Sequence, residues 1–274
     1  MDIKKGIVTD AKIMDTQAAL WYLGQEGFVI KHRERFLAVD LYLSDYVDRN
    51  CCQLVDWKRL YPAPISPDEL DFLNVVLCTH THYDHTDPWT LPAIAKASSE
   101  TKFVIPAPET DVLLSMGIEK ERIIPAYADT PIEIDGFEIT PIPSAHEVFH
   151  TDEEGNYREL GYIIKAGEIR IFHAGDMCMY DGLIERLKNI DIAMLPINGR
   201  DYFRNRNDII GNFNCEEAVT LANTVDAKLL IPMHHDLYEV NRVCPANFVN
   251  TLTALSPTQR YHIFVPGERF IYMK

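Results

Sequence analysis

Short apolar runs separated by turn or charged residues dominate the first part of the chain. Residues 19–23 (ALWYL), 27–31 (GFVIK) and 36–40 (FLAVD) have this form, which is typical of a meander of short strands. Residues 41–70 lack it and contain the proline-rich stretch YPAPISPDEL, so they predict a loop or a short capped helix. The run LNVVLCT at 73–79 then predicts a buried strand.

Strands alternate with helices along the next stretch. The pattern predicts a strand at 102–107, a helix at 109–117 and a strand at 122–126. The hairpin PIEIDGFEITPI follows, and its Asp135-Gly136 pair suits a type I′ turn, which needs two residues with positive φ. Both α and β structure are therefore expected.

The second part of the chain repeats this alternation. The runs YIIKA, IRIFHA, IDIAMLPI and AKLLIPM predict strands, and two more strands close the chain. Helices are predicted near 182–188, after the N-cap Asn214 and from Pro245. Two β-rich halves that each carry helices predict an α+β protein, with two mixed β-sheets packed face to face and helices outside, in a single domain of residues 1–274.

The stretch THTHYDHTD at 79–87 places three histidines within six positions. In an extended segment, residues two apart face the same side, so His80 and His82 can converge on one ion. Asp84 and His85 lie beyond the turn and can face a second ion. Imidazole and carboxylate together favour Zn²⁺, Mn²⁺ or Fe²⁺ over Ca²⁺ or Mg²⁺. The sequence therefore predicts a transition-metal site.

A loop between a strand and a helix is the predicted position of this stretch. Asp87 followed by Pro88 predicts an N-cap with proline at the first helical position. The alternative to a metal site is a polar loop whose histidines cap that helix or bind water.

Three further ligand-type residues each follow a predicted strand. His146 comes after ITPIPSA, Asp176 after IRIFHAG and His234 after KLLIPM. Taken singly, each residue can equally be a structural or turn residue. Taken together, they complete a two-metal site if these strand ends meet at one rim of the fold.

These motifs resemble the metallo-β-lactamase superfamily. The ligand-type residues that carry the resemblance are His80, His82, Asp84, His85, His146, Asp176 and His234. More narrowly, WYLGQEGF, THTHYDHTD, SAHE, FHAGD, PINGRD and IPMHHD resemble the branch that includes L-ascorbate-6-phosphate lactonases. The resemblance implies an αββα sandwich with the metal ions at one sheet edge.

The resemblance also implies a role for each ligand. His80, His82 and His146 would hold one divalent ion, Asp84, His85 and His234 a second, and Asp176 would bridge the two. His235 is the alternative to His234, which is preferred because the superfamily places its ligand directly after the Pro-x pair. The lactonases of this branch lack a clear counterpart of His146, so this chain is expected to bind two ions more fully and to act on a different compound.

Hydrolysis is the chemistry that such a site predicts. Two metal ions, here Zn²⁺ or Mn²⁺ with Fe²⁺ as a further option, lower the pKa of a shared water and supply hydroxide at pH 7. The expected enzyme is a lactonase, a carboxylic ester hydrolase that acts on a sugar-derived lactone. Asp176 and Asp84 are the predicted catalytic residues, and the general acid is Asp84, metal-bound water or Tyr202.

Candidate substrate contacts lie in two places. Arg200, Arg204 and Arg206 cluster in NGRDYFRNRND and can clamp a phosphate, but such a loop is also typical of a solvated, salt-bridged surface. Gln25 and Asn198 are candidates through the resemblance, with turn stabilisation as the alternative. A small, anionic substrate is the expected partner.

Composition narrows the remaining classes. The net charge of −15 disfavours nucleic acid as a partner. The N-terminus has no apolar signal region and no run approaches a membrane span, so we expect a soluble, cytoplasmic protein without a membrane partner. The six cysteines show no CxxC spacing and are expected to be reduced. The resemblance adds homo-oligomers as an expectation, although the sequence shows no interface signature.

Two alternatives to a lactonase use the same fold. A phosphodiesterase or nuclease is disfavoured by the acidic balance and by the short gap between Asp176 and His234, which leaves no room for a large insertion. Non-hydrolytic diiron proteins, as a family, have a carboxylate where this chain has His82. They are disfavoured for this reason and because no flavodoxin-like extension is present.

Overall fold

Two mixed β-sheets form the centre of the protein in a computed structural model that describes residues 3–274. The first sheet contains β1 (Gln17–Gly24), β2 (Gly27–His32), β3 (Arg35–Val39), β4 (Val75–Leu77), β5 (Lys102–Pro106), β6 (Ile123–Ala126) and β13 (Arg269–Met273). The second contains β7 (Ile132–Ile134), β8 (Phe137–Pro143), β9 (Leu160–Ala166), β10 (Ile169–His173), β11 (Ile192–Pro196) and β12 (Leu229–Met233).

Short helices connect and cover the strands. The α-helices are α1 (Lys5–Thr9), α2 (Tyr46–Asn50), α3 (Thr90–Ala97), α4 (Thr110–Ser115), α5 (Leu183–Arg186), α6 (Tyr202–Arg206), α7 (Cys215–Thr224) and α8 (Pro245–Leu255). Single 3₁₀ turns lie at Pro67–Glu69, Ala107–Glu109, Lys120–Arg122 and Glu239–Asn241. Within residues 3–274, no helix is long and apolar enough to cross a bilayer.

The sheets share one hydrophobic core, and the alternation of side chains along the strands explains how. In β1, Leu20 and Tyr22 face this common core, which also contains Ile164 and Ile231 of the second sheet. Their neighbour Trp21 points to the other face, where it joins a second cluster with residues of α3 and α4. Residues of α7 and α8 pack on the outside of the second sheet. The predicted arrangement of two mixed sheets with helices outside is confirmed.

Strand direction brings the functional loops to one edge. In the first sheet β3 and β4 are parallel and β2 is antiparallel to β3, so the β1–β2 turn lies beside the ends of β3 and β4. In the second sheet β10, β11 and β12 are parallel, and β8 has the same direction because β9 is antiparallel to both β8 and β10. The loops that follow β4 in the first sheet and β8, β10, β11 and β12 in the second therefore lie beyond the C-terminal ends of these strands, at one edge of each sheet.

Local predictions were confirmed at one turn and one helix cap. Asp135 and Gly136 have φ values of 49° and 83°, as a type I′ turn requires. Asn214 caps α7 in a capping box, in which its side chain accepts from Glu217 N while the Glu217 side chain accepts from the Asn214 backbone N–H.

One prediction was confirmed with a shifted boundary, and one was wrong. Asp87 has the hydrogen bonds of an N-cap, because its carboxylate accepts from Trp89 N at 2.9 Å and its carbonyl accepts from Leu91 N at 3.1 Å. The regular helix begins at Thr90 and not at Pro88, because Pro92 has no N–H to donate to the Pro88 carbonyl. At the C-terminus, one of the two predicted strands forms, because Tyr261 makes only an isolated bridge with Leu230.

Candidate metal centre

Asp176 lies at the centre of a buried cluster of imidazoles. Its Oδ2 is 3.3 Å from His146 Nε2, 3.5 Å from His85 Nε2 and 3.7 Å from His80 Nε2. Its Oδ1 is 3.2 Å from His234 Nε2. These residues follow four different strands, so the fold, and not sequence proximity, brings them together.

The ligand-type atoms form two groups, in each of which they lie within 4.8 Å of one another. The first group contains His80, His82, His146 and Asp176, and the second contains Asp84, His85 and His234. This division matches the two ligand sets that the sequence predicts, with Asp176 close to both. His235, the alternative to His234, belongs to neither group.

Hydrogen bonds behind the cluster fix the orientation of two imidazoles. Asp40 accepts from His85 Nδ1 at 2.9 Å and from Thr79 Oγ1 at 2.6 Å. The Thr79 hydroxyl in turn accepts from His80 Nδ1 at 3.0 Å. In a neutral imidazole one nitrogen donates and the other accepts, so Nε2 of each ring carries the lone pair inside the cluster. His80 Nε2 lies 2.9 Å from His82 Nδ1, and His85 Nε2 lies 3.5 Å from Asp176 Oδ2. His85 Nε2 is buried and has no hydrogen-bond partner in residues 3–274, as expected of a metal ligand.

Outer hydrogen bonds also orient the ligand-type side chains that follow strands of the second sheet. His146 Nδ1 lies 3.2 Å from Gly211 O and donates to it, which leaves Nε2 facing Asp176. Asp176 is itself held by Asn212, whose Nδ2 donates to Asp176 Oδ1 at 2.7 Å. Metal-binding histidines and carboxylates are commonly fixed by such outer partners.

Gln25 connects two of the ligand-type side chains. Its Nε2 donates to Asp84 Oδ2 at 2.7 Å and lies 3.0 Å from His234 Nε2. Gln25, His234 and Asp40 have φ values of 58°, 56° and 46°, a left-handed conformation that costs residues other than glycine about 1–3 kcal/mol each. Three of the positive-φ residues other than glycine therefore lie at this sheet edge, and others, such as Arg33, lie elsewhere.

Electrostatics favours the protonation states that bind metal. Burial, together with the neighbouring imidazoles, lowers the pKa of His80 well below its usual range, and burial lowers the pKa of His146 to about 4. Burial opposes ionisation of Asp176, but His234 and His85 outweigh it and hold the pKa of that carboxyl well below its usual range. Neutral imidazoles and an ionised carboxylate are the forms that bind a divalent ion.

His85 behaves differently. Burial disfavours its charged form, yet the carboxylates of Asp176, Asp84 and Asp40 raise its pKa well above the usual range. The position between these carboxylates therefore attracts a positive charge, which a proton or a metal ion can supply.

A small pocket of about 200 Å³ opens above the cluster. Five of the predicted ligands reach its surface, namely His82, Asp84, His146, Asp176 and His234. The other walls carry mainly apolar and aromatic side chains, among them Val47, Trp57, Tyr83, Ile209, Ile210 and Tyr238. Pockets for drug-sized ligands enclose roughly 300–1,000 Å³, so this pocket suits a small molecule.

The predicted arginine contacts lie outside this lining. Arg200 donates to Glu217 Oε2 at 2.9 Å and to Asn212 O at 2.8 Å. Arg204 forms an ion pair with Asp201. Tyr202 is 79% exposed. The structure therefore does not bring Arg200, Tyr202 or Arg204 to the metal cluster.

A chain of amide side chains links the arginine segment to Asp176. Arg204 Nε donates to Asn241 Oδ1 at 2.8 Å, and Asn198 Nδ2 donates to the same oxygen at 3.3 Å. Asn198 Oδ1 accepts from Asn212 Nδ2 at 3.1 Å, and Asn212 also donates to Asp176. Asn198 thus lies behind the site, two hydrogen bonds from the central carboxylate.

Comparison with known proteins identifies the family. A model of the "Beta-lactamase superfamily domain" matches residues 49–235. The chain belongs to this superfamily. It is 27% identical over 219 residues to a UPF0173 metal-dependent hydrolase from Caldivirga maquilingensis, a match that covers 78% of this chain and 88% of the relative.

Solved structures of other proteins share the fold. The metallo hydrolase Igni18 from Ignicoccus hospitalis superposes with a TM-score of 0.68 at 20% identity, over 94% of this chain and all of that one. An isothiocyanate hydrolase from Delia radicum gut bacteria gives a TM-score of 0.73 at 17% identity, over 93% of this chain and all of the other. The αββα metallo-β-lactamase fold is confirmed, and the narrower lactonase branch stays a prediction.

Three residues at this site, Asp40, Asn212 and Tyr238, were not predicted from the sequence. Asp40 ends the apolar run FLAVD, and an acidic residue after a strand that borders β4 was an available signal. Asn212 and Tyr238 carry no comparable signal, because each lies in a loop without a distinctive pattern. Their positions depend on contacts with residues that are far away in the chain.

Proposed function

We propose that this protein is a metal-dependent hydrolase that opens the ring of a sugar-derived lactone. The observation that carries the proposal is the convergence of six ligand-type side chains around a seventh, Asp176, at the floor of a small pocket. Membership of the superfamily and the relatives named metal-dependent hydrolase support the hydrolase class. The lactone rests on the sequence resemblance and on the character of the pocket.

The donor set fits two divalent ions. His80, His82 and His146 would hold one ion, Asp84, His85 and His234 the other, and Asp176 would bridge them. Mixed imidazole and carboxylate donors suit Zn²⁺ or Mn²⁺, with Fe²⁺ as a further option. Such a pair of ions lowers the pKa of a shared water and polarises a carbonyl group.

The protein's own side chains supply orientation and proton transfer. Asp40 and Gly211 hold the imidazoles of His85 and His146 in the required tautomers. Asp84, fixed by Gln25, presents a carboxylate that can accept the proton of the attacking water. We assign the catalytic roles to Asp84 and Asp176.

Tyr238 is the best-placed donor for the other end of the reaction. Its hydroxyl is buried in the pocket wall and has no hydrogen-bond partner in the described part of the chain. Burial raises the pKa of this phenol well above its usual range, so it stays protonated. It can donate to the carbonyl or ring oxygen of the substrate once its ring turns the buried hydroxyl towards the pocket.

The charge of the pocket favours an acyl substrate over a phosphodiester. No lysine or arginine lines it within residues 3–274, whereas proteins that bind phosphate usually provide arginine, lysine or a helix N-terminus. A nuclease or phosphodiesterase would also need room for a polymer or a second ester group, and the pocket is small.

A substrate screen on metal-loaded protein tests the proposal. Protein reconstituted with Zn²⁺ or Mn²⁺ should contain about two ions per chain by elemental analysis. It should hydrolyse sugar lactones faster than generic phosphodiesters, and a chelator should abolish that activity until metal is restored. Activity on phosphodiesters alone, or the absence of bound metal after aerobic and anaerobic loading, would contradict the proposal.

A further inference from the structure

We infer that the pocket selects an uncharged substrate with an apolar or aromatic substituent, and that Asp208 at its rim discriminates against anionic substrates. The inference rests on the proposed hydrolase function and specifies its substrate class. It differs from the sequence-based expectation of an anionic substrate.

The first argument is the charge of the lining. Asp84, Asp176 and Asp208 are the charged groups in it within residues 3–274, apart from any charge on its histidines. Asp84 and Asp176 belong to the candidate metal cluster, where bound cations would offset their charge. Asp208 belongs to neither ligand group, so its negative charge persists at the pocket rim when the cluster is filled.

The second argument is that no nearby arginine lines the pocket within residues 3–274, including Arg206, which is exposed and forms no ion pair there. Arg200 pairs with Glu217 and Arg204 with Asp201. Arg59 approaches the aromatic wall from behind, where its guanidinium lies 5.0 Å from the Tyr42 ring and donates to Tyr61 O at 3.1 Å. Arg59 lines a different cavity. None of these cations is therefore directed at a substrate in this pocket.

The third argument is the character of the walls. Trp57 packs edge-on against Tyr238, with ring centroids 5.2 Å apart. Tyr83 is 44% exposed at the pocket surface, and Ile209 and Ile210 also contribute to the lining. Apolar surface that a ligand and these walls remove from water contributes favourably to binding. An apolar or aromatic substituent would gain this contribution, and a phosphate would not.

No neighbouring group within residues 3–274 neutralises the charge of Asp208. Its carboxylate forms no ion pair or hydrogen bond within residues 3–274, and it is exposed just after α6. Its φ of 54° is a conformation that asparagine and aspartate both tolerate. Asp208→Asn therefore removes the charge while preserving size and backbone conformation.

Asp226 provides a matched control. It also has a φ of 54° and is exposed, and its ion pair with Lys228 is an exposed one that contributes little to stability. It lies just before the N-terminal end of β12, whereas the site lies beyond the C-terminal end of that strand. Asp226→Asn makes the same change of charge at the opposite edge of the sheet.

The experiment compares a phenyl-substituted γ-butyrolactone with the same lactone carrying a phosphate on the phenyl ring. Metal-loaded wild-type protein should have the higher kcat/KM for the uncharged lactone. Asp208→Asn should raise the kcat/KM for the phosphorylated lactone by about fivefold at low ionic strength, an effect that salt reduces. The kcat/KM for the uncharged lactone should change by less than about twofold, because an uncharged ligand has little Coulomb interaction with the carboxylate, and Asp226→Asn should alter neither value.

A binding measurement separates this inference from the proposed function. The corresponding cyclic ethers lack the carbonyl and cannot be hydrolysed, so calorimetry on the same metal-loaded proteins reports selectivity without turnover. Tighter binding of the uncharged ether, with Asp208→Asn narrowing the difference, supports the inference even if neither lactone is hydrolysed, a result that would count against the proposed function alone. Equal or tighter binding of the phosphorylated ether, or no binding of either one, overturns the inference.

Discussion

The floor of the site and the segment at residues 200–210 differ in how their polar side chains are held. On the floor, imidazoles and carboxylates follow strand ends, are mostly buried and are oriented by outer hydrogen bonds such as that from His85 to Asp40. In the segment, Arg200 and Arg204 pair with neighbouring acids, and Tyr202 projects into solvent.

The floor therefore carries the groups for catalysis, and the segment at residues 200–210 carries groups that affect substrate selectivity. A strand end is fixed by its ladder and by the core beneath it, so groups placed there keep a constant geometry, as catalysis requires. A loop contributes walls and charge, as Asp208 and Ile209 do at the pocket, and its changes leave the floor intact. Substitutions on the floor should therefore have large effects and those in the segment small ones.

The largest effect is expected at the centre of the floor. Asp176→Asn removes the charge that lies between the two ligand groups, so activity and the second metal ion should be lost. We expect kcat/KM to fall by more than about 100-fold, the upper range for outer partners of metal ligands. Enzyme kinetics and elemental analysis check the loss of activity and of metal. The control is Asp111→Asn, a substitution at an exposed residue of α4. Unchanged turnover would remove Asp176 from the mechanism.

A smaller loss is expected behind the floor. Asp40→Asn weakens the acceptor that holds His85 Nδ1 and the Thr79 hydroxyl. Metal affinity should fall by about 10–100-fold, while excess metal should restore part of the activity. Thr79→Ser, which keeps the hydroxyl, should be close to wild type, and Thr79→Val should resemble Asp40→Asn. Equal metal affinity in all four proteins would show that these bonds do not position the imidazoles.

The pocket wall should give a moderate effect. Tyr238→Phe removes one neutral donor, and a hydrogen bond contributes about 0.5–1.5 kcal/mol, so kcat/KM should fall by up to about tenfold. Since burial raises the pKa of the wild-type phenol, the donor is present at all pH values below that raised pKa, and activity should not decline through its ionisation near pH 10. A Tyr238→Phe protein with wild-type kcat/KM would exclude this donor.

The smallest effect is expected in the arginine segment. Arg200→Ala breaks a partly exposed pair with Glu217, and such pairs contribute about 0–1 kcal/mol to folding stability. The kcat/KM for an uncharged lactone should change less than about twofold, and Tm should fall by only a few degrees. A large rise in KM confined to phosphorylated lactones would instead assign Arg200 to phosphate binding.

Much of the fold and the candidate ligand set was predictable from the sequence. The runs that end at His80, Asp176 and His234 carry both a strand signal and a ligand-type residue, and the spacing of THTHYDHTD depends only on local geometry. The Asp135-Gly136 turn and the Asn214 cap were equally local, because each requires particular φ values or a hydrogen bond within three residues.

Other features were decided by long-range contacts. Asp87 has the sequence and the hydrogen bonds of an N-cap, but its carboxylate also binds Ser44, 43 positions away, a contact that the sequence does not indicate. The sequence contains three arginines in a short segment, and only the folded chain shows that Arg200 faces Glu217 and not the pocket. Residue type and spacing indicate which chemistry is available at a strand end. Side chains that are 36 or 209 positions apart, such as Asn212 and Asp176 or Gln25 and His234, meet only because of how the sheets pack. The same packing placed Tyr238 in the pocket wall.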